Sequence, residues 1–145
     1  MALFGDERRH TGLARSLHYR WFTDPATRLR HPAEDRAAHS RLIAANLHAV
    51  YTRDGAGSRV GEIVTALLAA SPEFAELWRE HLVPGPYCAP KRIRHPEVGL
   101  LELHCQTLVD PDQSQLLLVF TAAPGSESHE RLRLLSVVGD LGLGV

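Results

Sequence analysis

"KRIRHPEVGLLELHCQTL", residues 91–108, is where the period of the chain's apolar residues changes and where its fold class is decided. From residue 101 onward apolar and polar side chains alternate. Leu101, Leu103 and Cys105 fall on one face, and Glu102, His104 and Gln106 on the other. A two-residue period marks a half-buried strand. If "KRIRH" alternates in the same way, Arg92 and Arg94 share one face while Lys91, Ile93 and His95 share the other. Between the two strands, "HPEVG" supplies a proline that fixes the backbone and a glycine that relaxes it, which is the chemistry of a hairpin turn. Lys91, Arg92, Arg94 and His95 are therefore read as part of a hairpin rather than as a patch for a phosphate backbone.

Downstream, "DPDQS" is a turn and "QLLLVFTA" (115–122) is continuously apolar, as expected of a central strand covered on both sides. "PGSES" leads into a last helix over about 127–138 carrying Leu132, Leu135 and Val138. Upstream the period is helical. "LARSLHYRWF" (13–22) reads as a short helix stopped at "TDP", since Pro25 biases Asp24 away from helical angles. A longer helix spans about 33–53, with Leu42, Ile43, Leu47, Val50 and Tyr51 on its apolar stripe, and "DGAG" breaks it. Val60, Ile63, Val64, Leu67 and Leu68 form the cleanest stripe of the chain. "SPEF" then starts another helix: Ser71 is an N-cap, Pro72 suits the first helical position, and Phe74, Leu77 and Trp78 supply the apolar face. "VPGP" (83–86) ends the helical half. Helices first, then a small antiparallel sheet, then one helix make an α+β fold.

The bulk properties narrow the function. The 145 residues fit one domain, read as a flexible leader over 1–12, a folded body over 13–138 and a tail over 139–145. A net charge of −1 gives no global field toward nucleic acid or an anionic membrane. The charge is uneven, with ten arginines against six acids in residues 1–60 and six bases against eleven acids after that. Two cysteines, Cys88 and Cys105, are too few for a disulfide framework and point to a reducing cytoplasm. Residues 1–12 contain no apolar signal core, and the longest apolar run, "LLLVFTAA", is far short of a membrane span of roughly 20 residues.

No chemistry-bearing motif stands out. The helices flanking residues 54–57 resemble a helix-turn-helix only in outline, because "SRVGEIVTALLAA" offers too few polar side chains to read a groove. Nine histidines are scattered without metal-ligand spacing, and Cys105 faces away from His104, so no metal is expected. There is no nucleophile elbow, and the glycines of "GDLGLG" follow a helix rather than a strand, so no catalytic residue or cofactor site is expected. A binding pocket is harder to set aside. Trp21, Phe22, Phe74, Trp78 and Phe120 are large apolar groups expected to point inward, around either a cavity or a solid core.

The ordered series "WFTDPATR" (21–28), "SPEFAELWREHLV" (71–83), "KRIRHPEVGLLELHCQTL" (91–108), "DQSQLLLVFTAAPGSES" (112–128) and "LRLL" (132–135) resembles the MmyB-like ligand-binding domain of bacterial transcription regulators. Phe74 and Trp78, His95-Pro96 with Val98-Gly99, and "APGSES" sit at that family's spacing over about 13–138. The chain departs from the family pattern at Ser16, at Glu34, and at Leu47-His48, where Asn, Trp and Leu-Arg are usual. The resemblance implies a PAS-like fold, with a small sheet packed against N-terminal helices, and a non-enzymatic domain that follows an Xre/Cro-type helix-turn-helix. The implied ligand is a small hydrophobic molecule of the fatty-acid class. DNA would be met only through the helix-turn-helix half, which residues 1–12 are too short to supply.

Under this reading the ligand lies between the sheet (Leu103, Cys105, Leu118, Phe120) and the helices (Trp21, Phe22, Leu47, Phe74, Trp78). Arg92, Arg94 or His95 would meet its carboxylate, because an unpaired buried charge is expensive. The alternative is a structural or dimerisation module with a filled core and no ligand, a homodimer in which Trp21 and neighbouring apolar groups form the subunit interface.

Overall fold

The structure, a computed structural model, describes residues 3–5, 7–85, 90–112 and 116–141, with side chains described as far as residue 137. Cys88, Gln115, the side chain of Val138, and Gly142 and Gly144 therefore lie outside the described part. The chain divides into two units. One is Glu7–Leu29 with Ala33–Gly85, and the other is Met1–Asp6, Arg30–Pro32 and Pro86–Val145.

In the helical unit, short polar side chains decide where each helix starts. The Ser16 hydroxyl accepts from the Tyr19 N–H at the head of α1 (Leu17–Thr23). Asp24 caps the single turn α2 (Pro25–Arg28), accepting from Ala26 N at 3.0 Å, with Pro25 at the first position. Ser58 caps α4 (Arg59–Ala70) and Ser71 caps α5 (Pro72–Arg79), accepting from Gly61 N and Phe74 N at 3.2 Å each. Each cap satisfies a backbone donor that the helix cannot, at about 1 kcal/mol. The long helix α3 (Arg36–Asp54) ends at Gly55, whose φ of 83° and ψ of 172° only glycine adopts without strain. Gly61 is required for a different reason. Its backbone passes so close to the preceding turn that a Cβ there would stand 2.5 Å from the Ala56 carbonyl carbon. The core of this unit is Trp21, Ile43, Ala44, Leu47, Ile63, Val64, Leu67 and Phe74, ringed by half-buried groups including Phe22, Tyr51 and Trp78. Leu68, expected in the α4 stripe, is exposed instead; it sits at the margin of the stripe, where packing rather than period decides.

The second unit is a three-stranded antiparallel sheet, β1 (Lys91–His95), β2 (Gly99–Val109) and β3 (Leu116–Thr121), in the order β1-β2-β3, with α6 (Glu127–Leu141) beside it. Ile93 opposes Leu101, and the hairpin closes at His95 opposite Gly99. Gly99 has a φ of 78°, which permits the tight return. The alternation read from the sequence holds: Leu101, Leu103 and Cys105 are buried, and Glu102, His104 and Gln106 are exposed. Ile93, Leu101, Leu103, Ala122 and Leu135 form the core here, with Leu3, Phe4, Val98, Phe120 and Leu132 packed against it. Two bonds fix α6 to the sheet: Arg131 Nη1 donates to the Leu100 carbonyl at 2.6 Å, and Glu102 N donates to Ser128 Oγ at 2.9 Å.

One expectation for the sheet is overturned. "LLLVFT" is an edge strand, and Leu116, Leu117 and Leu118 are exposed. An unbroken apolar run resembles a strand buried on both faces, but the run alone does not say whether a neighbouring strand is present on each side. The expected leader also contributes contacts. Phe4 lies edge-on to Phe120 with ring centroids 5.5 Å apart, and Glu7 pairs with Arg20.

A candidate ligand site at the hairpin end

Within the sheet unit, a cavity of about 320 Å³ is lined by Leu3, Phe4, Gly5, Arg30, Arg94, His95, Pro96 and Glu97. That volume is at the lower end of the range for small-molecule sites, about 300–1,000 Å³. Three local features build it. The Arg94 N–H donates to the Arg30 carbonyl at 2.6 Å, fastening the short Arg30–Pro32 segment to β1. Phe4 is held by Phe120 on one side, and the Arg30 guanidinium stands 6.0 Å from its ring centroid. At the turn, the Glu97 N–H donates to His95 Nδ1 at 3.2 Å. A neutral His95 ring therefore carries its proton on Nε2 and presents a donor there.

The lining combines an apolar wall, Leu3 and Phe4, with two permanently charged guanidiniums and an imidazole. Guanidiniums bind carboxylate or phosphate in bidentate fashion. Among the described lining residues Glu97 is the one acid, against two arginines, so their charge balance favours an anion. Among the described residues no ion pair is formed by the Arg94 side chain, which is exposed.

Of the head-group residues expected from sequence, Arg94 and His95 line this cavity, while Arg92 does not and is half-buried on β1. Leu103 and Cys105 are buried on the core face of the sheet, Phe120 is half-buried beside Phe4, and Leu118 is exposed further along β3. Trp21, Phe22, Leu47, Phe74 and Trp78 all belong to the helical core. Leu3, Phe4, Gly5, Arg30, Pro96 and Glu97 were not anticipated as lining residues. "LFG" at positions 3–5 was the available signal, an apolar pair before a glycine. Arg30 sits in a loop without periodicity, and only the contact with distant Arg94 reveals it.

The helical unit contains a second polar arrangement. Trp21 Nε1 donates to Ser40 Oγ at 2.8 Å, Ser40 donates to Glu73 Oε1 at 2.7 Å, and Arg28 Nη2 donates to Glu73 Oε2 at 2.6 Å. Arg28 Nε also donates to the Trp21 carbonyl at 2.7 Å, and its guanidinium lies 5.2 Å from the Trp21 ring centroid. Burial works against the charged form of Glu73. The hydrogen bonds from Arg28 and Ser40, together with the Arg28 charge, outweigh it and hold the carboxyl below its usual range. This chain of bonds ties α1, α2, α3 and α5 together. Nearby, His48 Nε2 and His81 Nδ1 are 3.0 Å apart, with the Trp78 ring against His48. Among the described residues no three His, Cys, Asp or Glu side chains converge on a metal position, and no helix is long and apolar enough to cross a membrane.

An α+β fold whose cavity is lined by both apolar and cationic side chains suits a ligand-binding domain. The chain matches the MmyB-like transcription regulator ligand binding domain over residues 1–135 and belongs to that family. No curated protein and no solved structure matches it.

Proposed function

We propose that this regulator domain binds a small amphipathic molecule of the fatty-acid class, with its anionic head on Arg94, His95 and Arg30 and its apolar body against Phe4 and Leu3. The observation that carries the reading is that these cations and these apolar side chains meet around one cavity. The apolar residues Leu103, Cys105 and Phe120 continue from Phe4 along the core face of the sheet. Each methylene buried contributes about 0.8 kcal/mol, and the guanidiniums offset the desolvation of the head group. Binding acts by favouring one conformation of a PAS-like domain and so changing how an attached helix-turn-helix is presented to DNA. A bacterial cytoplasm is the compartment that fits two cysteines and a net charge of only −1.

Native mass spectrometry and organic extraction of the purified chain, followed by thermal shifts with medium- and long-chain fatty acids, test this reading. A co-purifying lipid or a saturable shift is expected. Arg94→Ala should weaken binding about tenfold, equivalent to about 1.4 kcal/mol. A fatty alcohol that binds as tightly as the acid would sink the head-group assignment, and the absence of both lipid and shift would sink the ligand class. The second reading, a structural module with a filled core, is favoured by the packing of Trp21, Leu47 and Phe74, all buried against one another in the helical unit.

A further inference from the structure

The sheet is staggered in a way that leaves half of it only two strands wide. β1 pairs with residues 99–103 of β2, whereas β3 pairs with residues 104–109. Among the described residues, the outer half of β2 and all of β3 therefore form a two-stranded arm with no further strand beside it. An isolated two-stranded ribbon is marginal in water. Both faces of this arm carry apolar side chains, one of them interrupted by Thr107 and the other by His104, Gln106 and Thr121. Cys105, Val109, Leu116, Leu118 and Phe120 share the face that continues the sheet core, and Leu108, Leu117 and Val119 share the other. Its outer part is exposed: Leu108 48%, Val109 53%, Leu116 55%, Leu117 61% and Leu118 46%. Soluble proteins guard such an edge with a charge, a proline or a bulge. Residues 116–121, "LLLVFT", contain neither a charge nor a proline, and they pair without interruption.

We propose that β3 is an interface between two copies of this chain, paired edge to edge into a continuous six-stranded antiparallel sheet. Charge selects this edge and this occupant. The other outer strand, β1, carries Lys91, Arg92 and Arg94, so pairing it with its own copy would set like charges against each other. β3 meets its copy with no charge at all. A two-fold axis perpendicular to the sheet keeps core face next to core face, and because directly opposed residues of an antiparallel pair point to the same face, it must pass through a residue position. Centred on Leu118, it sets Leu118 against its own copy, Leu116 against Phe120, and Leu117 against Val119. The contact is isologous, uses the one open β3 edge of each copy, and stops at two. It also replaces the interface expected around Trp21, which is buried in the helical core and unavailable to a partner.

Sedimentation velocity on the 145-residue chain over a hundredfold concentration range is the test, with circular dichroism to check folding. A reversible monomer–dimer equilibrium is expected. Leu118→Lys places two ammonium groups face to face at the axis and should weaken the dimer at least a hundredfold. Leu118→Glu should do the same on its own, and an equimolar mixture of the two variants should recover a dimer. A wild-type chain monomeric throughout the range, open-ended oligomers, unchanged dimerisation of Leu118→Lys, or a mixture that stays monomeric would each overturn the proposal.

Discussion

Replacing Gly61 by alanine should destabilise the protein, although the same change in an ordinary helix stabilises it. Alanine exceeds glycine in helix propensity by about 1 kcal/mol, so composition alone forecasts a gain. Geometry forecasts the opposite. The new Cβ would stand 2.5 Å from the Ala56 carbonyl carbon and 3.0 Å from Ala56 Cα, whereas carbon atoms pack at about 3.5–4.0 Å. The turn before α4 must therefore move by about 1 Å. That turn is fastened by Ser58, whose hydroxyl donates to the Gly55 carbonyl at 2.7 Å and accepts from Gly61 N at 3.2 Å. Overpacking costs about 1–3 kcal/mol and loss of the serine cap about 1 kcal/mol more. Against the propensity gain, Gly61→Ala is left about 1–3 kcal/mol less stable. Urea unfolding followed by circular dichroism should show a lower midpoint at unchanged slope, with Tm down by about 2–4 °C per kcal/mol. Gly57 is the internal control, because a Cβ added there would meet no atom within 4 Å and its φ is not positive. Gly57→Ala should be neutral or stabilising by about 0.4–1 kcal/mol. A Gly61→Ala protein as stable as the wild type would refute the close-approach argument.

Trp21→Phe removes the buried donor to Ser40 and shrinks a core side chain, so it should cost about 1–3 kcal/mol in denaturant unfolding. Glu73→Gln loses the ion pair to Arg28, whose side chains are 24% and 43% exposed, so the loss at neutral pH should stay below about 1 kcal/mol. Because the Glu73 carboxyl is held below its usual range, its contribution is complete above the unfolded carboxyl pKa. It drains away as pH falls through the lower folded value, so the stability gap between wild type and variant should close in acid. Phe4→Ala removes the edge-on contact with Phe120 and one wall of the cavity. It should lower stability by about 1–2 kcal/mol and weaken any fatty-acid thermal shift.

Periodicity carried the elements because each has one dominant local cause. The alternation of Leu101, Leu103 and Cys105 could only serve a sheet with one buried face, and Ser71 could cap its helix whatever lay around it. Position within the sheet was not legible in the same way. Leu116–Leu118 look identical whether a strand is central or at an edge, since the difference lies in what pairs with it. The cavity was half legible. Arg94 and His95 stand beside a recognisable turn, while Phe4 and Arg30 reach it through contacts between segments far apart in sequence, which no local pattern encodes. The head group's third nominee, Arg92, has the right charge but sits further along β1, away from the rim.

Phe4 packing against Phe120 has a consequence for how the protein is made. The helical core draws on residues that lie within the first 85 positions, so its contacts can form as soon as that stretch has left the ribosome. The sheet core needs Leu3 and Phe4 together with Leu132 and Leu135, more than 120 residues further along. Contacts between distant segments pay for loop closure before they return any stability, and they form late. During synthesis, Leu3 and Phe4 must therefore wait for their partners in this core until Phe120 and then Leu132 and Leu135 are translated. That interval is when chaperones have most to bind. In pulse-labelled hydrogen exchange during refolding, the amides of α3 and α4 should be protected before those of β1 and β2.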